Sequence, residues 1–220
     1  MKLVVFAGPS LPPEDRIRAE RVTYVPPAAR GDVLRASESH DAILLVDGVF
    51  HHDLAPSPKE IYEVCQRVQF FGAASMGALR AAECASYGAV PLGAIARWYA
   101  SEAIDGDDEV AVLVDPRTYR ALTVPSVNVR YVARRAARRG ILTAEEAVAL
   151  VTVSREIFYM ERSWDEVVAA APRRVRVALR DIAENEGDLK RLDARFALRS
   201  VLRRLGVGGR KLPGRAGDLR

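Results

Sequence analysis

The alternation within residues 1–100 restricts this chain more than any other feature. Four short runs rich in β-branched and aromatic residues, Leu3–Ala7, Val22–Val25, Ile43–Val46 and Val68–Phe71, are separated by helix-like stretches. Short runs of this kind read as strands. The stretches between and after them are Asp32–Ser39, Lys59–Arg67 opened by Pro58, Met76–Tyr87 ended by Gly88, and Ala94–Ala100. Proline at the first turn and glycine past the last are the usual punctuation of a helix. The alternation predicts an α/β fold: a Rossmann-like, mostly parallel sheet with helices on both faces. A fifth strand is expected at Val110–Val114, after the acidic stretch Asp105–Glu109.

The rest of the chain reads as helices. Val127–Arg139 is basic and stops at Gly140. Thr143 and Glu146 form a capping-box pattern before an apolar-periodic run to about Met160, and Ser163 with Glu166 repeats the signal. Leu189, Leu192, Phe196, Val201, Leu202 and Leu205 mark a last helix, stopped by Gly206. The expected organisation is an α/β domain over 1–120, a smaller all-helical region over 121–206, and a loose basic tail over 207–220. Charge divides similarly. Residues 1–115 carry ten Lys/Arg against 17 Asp/Glu, a net −7, whereas residues 116–220 carry 23 against 12, a net +11. Such a field attracts an acidic protein, a peptide or nucleic acid.

Two cysteines, no signal peptide and no long apolar run are the pattern of a reduced, cytoplasmic protein with no membrane segment. Cys65 and Cys84 fall inside helical stretches, where small core residues sit, and neither has a redox setting. The arginine groups at 130–139, 173–176 and 195–203 read first as solvated, salt-bridged faces. No recognition-helix motif or aromatic interleaving accompanies them, so nucleic acid ranks last among the partners.

In an open parallel sheet, ligands bind at the carboxyl ends of the strands. Three such ends carry chemistry here: Gly8-Pro9-Ser10, Asp47-Gly48 leading to His51 and His52, and Gly72-Ala73-Ala74-Ser75-Met76-Gly77. Ser75 has two readings. One is a nucleophile elbow, with the Met76 and Gly77 N–H groups aimed at an oxyanion or carboxylate. The other is an ordinary helix N-cap. His51 is either a general base or a polar loop residue, and Asp47 either orients that base or makes turn chemistry with Gly48. Metal binding by His51, His52 and Asp53 is a weak reading, since adjacent residues rarely point at one ion; no metal and no cofactor is expected. Gly8-Pro9-Ser10 reads as an anion cradle but lacks the glycines of a nucleotide loop. Lys59 either holds an anion in the same cleft or, like Glu60, is surface charge. Arg80 and Glu83, three apart, are expected to pair.

The stretches Val5–Pro12, Val46–His52, Lys59–Ile61, Phe71–Glu83, Asp107–Val112 and Val127–Arg130 resemble the TfuA-like family, and Gly72-Ala73-Ala74-Ser75-Met76-Gly77-Ala78-Leu79-Arg80-Ala81-Ala82-Glu83 is the most specific of them. The resemblance implies a partner of YcaO enzymes in ribosomal peptide natural product biosynthesis. In thioamide formation, YcaO activates a peptide amide with ATP. The TfuA-like partner recruits a thiocarboxylated, ubiquitin-like sulfur carrier and hydrolyses it, releasing sulfide. The alternative is a non-catalytic adaptor that recruits or activates YcaO. Under the hydrolase reading Ser75 is nucleophile or anion anchor, His51 the base and Asp47 its orienter. Gly8, Pro9, Ser10, Gly48, Lys59, Met76, Gly77 and Arg80 shape the pocket. The precursor peptide is a further candidate partner for the basic half.

Overall fold

The computed structural model describes residues 1–50 and 54–208, and the backbone of 210 and 211. His51, His52, Asp53 and most of the expected basic tail lie outside the described residues. The chain forms two compact units. One comprises Met1–Ser101 together with the chain from Asp193, and the other Glu102–Leu192. Compactness thus divides the chain differently from the sequence-based boundary at 120/121.

The first unit holds a five-stranded sheet: β1 (Leu3–Phe6), β2 (Val22–Val25), β3 (Ala42–Leu45), β4 (Gln69–Ala73) and β5 (Val90–Leu92). All neighbours are parallel, in the order β2-β1-β3-β4-β5. This is one of the common doubly-wound orders. Its switch point lies between β1 and β3, where successive connections leave in opposite directions. Four of the five strands stand at or near the expected positions. The fifth is Val90–Leu92, not Val110–Val114. It is three residues long with Pro91 at its centre, which the edge of a sheet tolerates. In the segment expected instead, the Val110 carbonyl accepts from Lys190 Nζ at 2.7 Å, and only Val114 makes a bridge, to Ala121.

Alternating residues divide the core. Val4, Phe6, Ile43, Leu45 and Phe70 pack with α1 (Asp32–Ala36), α2 (Pro58–Cys65) and α3 (Met76–Glu83). Leu3, Val5, Leu44 and Phe71 pack with Ala194, Ala197, Leu198, Val201 and Leu202 of the last helix. The β1–β2 connection contains a 3-10 turn at Pro13–Asp15 but no α-helix. The face that such a helix would cover is taken by the last helix. Asp193 fixes its approach. Its carboxylate accepts from the Ile95 N–H at 2.7 Å, in the first turn of α4 (Gly93–Ala100), and a Cβ on Gly93 would lie 2.5 Å from it.

The second unit contains α5 (Ser126–Arg138), α6 (Ala144–Glu156), α7 (Trp164–Ala170) and α8 (Arg176–Glu186) around an apolar core. Both expected capping boxes are present, at Thr143 and Ser163. The last helix, α9 (Leu189–Arg204), begins in this unit and enters the first. Arg162 is 1% exposed and donates to the carbonyls of Ser154, Ile157 and Val124, closing the C-terminal end of α6. Burial pushes its pKa down, while Asp108 and Glu109 pull it up.

Helix α3 approaches the sheet closely. A Cβ on Gly77 would lie 1.8 Å from the Leu45 carbonyl oxygen, and one on Gly72 would lie 2.0 Å from the Gly77 oxygen. Both obstacles are backbone, so only displacement of the helix relieves them. Gly77→Ala is therefore expected to lower unfolding free energy by roughly 3 kcal/mol in urea denaturation. Gly208→Ala, which meets nothing within 4 Å, is expected to change it by less than about 0.5 kcal/mol.

Candidate active site

The loops after β1 and β3 meet at the switch point, and Asp47 joins them. The side chain is 2% exposed. Its Oδ2 accepts from the N–H groups of Gly8 at 2.8 Å and Ser10 at 3.0 Å, and its Oδ1 accepts from the Ser10 hydroxyl at 2.6 Å. The donors of the Gly8-Pro9-Ser10 turn, expected to face a ligand anion, are engaged by the side chain of Asp47. Gly8 must lack a side chain here, since a Cβ would sit 2.6 Å from Pro27 Cγ. The loop after β2 joins the same knot. Ala28 donates to the Asp47 carbonyl at 3.0 Å and accepts from Val49 at 2.9 Å.

Next to this knot β4 turns into α3. The Ser75 N–H donates to the Ala73 carbonyl at 2.8 Å, closing a three-residue turn centred on Ala74 at φ +66°. A γ-turn with positive φ is rare and strained, and a non-glycine residue in this region suggests a functional site. Ser75 is the N-cap residue by position, yet its side chain does not cap the helix. Its carbonyl instead accepts from Ala78 at 2.9 Å and Leu79 at 3.4 Å. The Gly77 N–H, expected to face an oxyanion, donates to the Val46 carbonyl at 3.2 Å. Of the four N–H groups that open α3, that leaves Met76 without an acceptor among the described residues. A serine hydroxyl not used for capping thus adjoins one open backbone donor. Ser75 and Met76 are each 1% exposed, and Met76 packs over Gly48, where a Cβ would lie 2.8 Å from its Cγ.

The remaining sequence candidates scatter. His51 falls outside the described residues. Lys59 is exposed in the first turn of α2, with no ion pair among the described residues. Arg80 donates to the Pro56 carbonyl at 2.6 Å and pairs with Glu83 at 2.7 Å, as the spacing predicts, so its guanidinium ties the β3–α2 loop to α3. Pro9 is half-buried in the first loop.

Sequence reasoning missed Glu60, read as surface charge. It is 6% exposed, and its carboxylate accepts from the N–H groups of Gly31, Val33 and Leu34 at 3.0–3.1 Å, filling the N-terminus of α1. The pattern Ser57-x-x-Glu60 carried part of the signal, since the Ser57 hydroxyl does cap the Glu60 N–H. A second missed site is in the other unit. Glu109, fully buried, accepts from Arg130 at 2.5–3.1 Å and pairs with Arg155 at 3.5 Å. This contact joins two of the stretches on which the family resemblance rests. The Arg130 pKa is raised by its hydrogen bonds to Glu109, with burial opposing.

Cys84 is a core residue, and half-buried Cys65 packs against the same cluster. Burial pushes the Cys65 thiol up to about 11, and the pKa of the buried Cys84 moves the same way for the same reason. Among the described residues no three His, Cys, Asp or Glu side chains group as a metal site, and no helix is long and apolar enough to cross a membrane.

Among families of known proteins, the one described as TfuA-like protein matches residues 47–163, more than half of the chain. A search of curated proteins returned no match. The matched segment includes Asp47, the Ser75 turn and the Glu109–Arg130 pair.

Two outcomes follow from the geometry. Asp47→Ala removes the acceptor of three hydrogen bonds, leaves their donors without it, and is expected to cost about 3 kcal/mol of stability in denaturant with no substrate present. Raised thiol pKa values leave Cys65 and Cys84 protonated near neutrality. Iodoacetamide labelling of the native protein is expected to be slow there, to accelerate as pH approaches about 11, and to be fast once the chain is unfolded.

Proposed function

The chain belongs to the TfuA-like family, and from that premise we propose that it partners a YcaO enzyme in peptide backbone thioamidation, hydrolysing a thiocarboxylated ubiquitin-like carrier to supply sulfide. One observation carries the chemistry: the Ser75 hydroxyl does not cap its helix, and the adjoining Met76 N–H has no acceptor among the described residues. A hydroxyl beside an open donor is the minimum for acyl transfer, a nucleophile with a hydrogen bond for the developing oxyanion.

In this reading Ser75 Oγ bonds to the thiocarboxylate carbon, and the carbon–sulfur bond breaks. A base takes the hydroxyl proton and delivers it to the departing sulfur, which leaves as hydrosulfide. Water then cleaves the ester, leaving the carrier carboxylate and the free serine. His51 is assigned the base on sequence alone. Asp47 is given a different role from the expected orienter. Its bonds to Gly8 and Ser10 hold the first loop against the end of β3, which supports a positioning role.

A second reading, a non-catalytic adaptor that recruits or activates YcaO, is favoured by the 1% exposure of Ser75. A nucleophile so enclosed meets substrate only after the chain around it shifts. The isolated protein separates the two readings. Under the hydrolase reading it releases sulfide from thiocarboxylated carrier without YcaO, and Ser75→Ala lowers the rate by about a thousandfold or more with unchanged circular dichroism. Release that requires YcaO supports the adaptor instead, and release that Ser75→Ala leaves at full rate removes Ser75 as the nucleophile.

A further inference from the structure

The second unit contains a groove of about 230 Å³ along α5 and α6. Its apolar floor includes Ala133, Val148 and Val151, and Val148 is 66% exposed. Arg130, Arg134 and Arg155 also line it, and among the described residues no acidic side chain does. Helix α5 carries four arginines and no Asp or Glu. Buried Glu109 holds both Arg130 and Arg155, so one carboxylate is shared between two guanidinium groups and fixes them at the groove.

We propose that this groove docks an acidic, amphipathic segment of a partner polypeptide. Three features select that occupant. The volume is below the roughly 300–1,000 Å³ of small-molecule sites and suits individual side chains. The lining residues recur at 130, 133, 134 on α5 and at 147, 148, 151, 152, 155 on α6. This helical spacing makes an elongated apolar track of the kind that receives an amphipathic helix. The arginines complement carboxylates on that helix, setting its orientation and speeding encounter. A nucleic acid would match the charge but not the aliphatic floor, and among the described residues the lining has no aromatic side chain on which bases stack.

The test is fluorescence anisotropy on the full chain. One labelled peptide carries leucine at i, i+3, i+4 and i+7 with glutamate elsewhere, and a counterpart has lysine for glutamate. The glutamate peptide is expected to bind saturably and the lysine peptide not to bind. Val148→Asp and Arg134→Glu each weaken binding about tenfold, and added salt weakens it further. Both positions are exposed, and unchanged melting curves show the variants folded. No binding, equal binding of both peptides, or variants that bind as the parent does would overturn the proposal. So would displacement of the peptide by duplex DNA, or a dimer in sedimentation that Val148→Asp dissolves. The readout is independent of sulfide release, so its failure leaves the hydrolase reading untouched.

Discussion

Helix α3 begins where it does because position 77 has no side chain. The Gly77 N–H reaches the Val46 carbonyl at the end of β3, and its Cα sits where a Cβ would collide with Leu45. That contact presses the first turn of the helix onto the sheet. The chain leaving β4 must then reverse within one residue, and Ala74 absorbs the reversal at positive φ. Ser75 is consequently held beside the knot of loops at the switch point, with its backbone carbonyl rather than its hydroxyl engaged by the helix. Small residues are therefore required along this stretch: glycine where backbones touch, alanine where the turn leaves no room.

Carboxylates stabilise this end of the unit. Asp47 fills the amides of the first loop, Glu60 the N-terminus of α1, and Asp193 the first turn of α4. Each places negative charge where backbone N–H groups converge, the arrangement that elsewhere binds phosphate or substrate carboxylate. At Asp193 burial outweighs those backbone bonds and raises the pKa, so ionising it costs stability, which falls as pH rises from the ordinary carboxylate range through that raised value. These three anion positions are occupied from within, whereas the Met76 N–H has no acceptor among the described residues.

The sequence made the order of elements legible because strand runs and caps are local. The Thr143 and Ser163 boxes and the runs at residues 3, 22 and 43 needed no tertiary information. Val90–Leu92 escaped because three residues around a proline carry too little local signal. The covering of the sheet by α9 also escaped, since nothing in an amphipathic pattern says which apolar surface it meets. At the site, the small-residue stretch correctly marked a tight turn. The direction of each polar group was not legible. Asp47 and Gly77 make their bonds to residues 37 or 39 and 31 positions away, respectively, and only the folded sheet brings those partners into reach.

In the proposed hydrolysis Ser75 carries the acyl group. Trypsin releases it within Val68–Arg80, where it is the sole hydroxyl, with no cysteine or lysine beside it. The most direct measurement mixes the protein with thiocarboxylated carrier, quenches in acid and maps that peptide by mass spectrometry. A transient acyl adduct on Val68–Arg80 is expected, appearing with the first sulfide released and absent from the Ser75→Ala protein. Sulfide released at full rate while that peptide stays unmodified would contradict it.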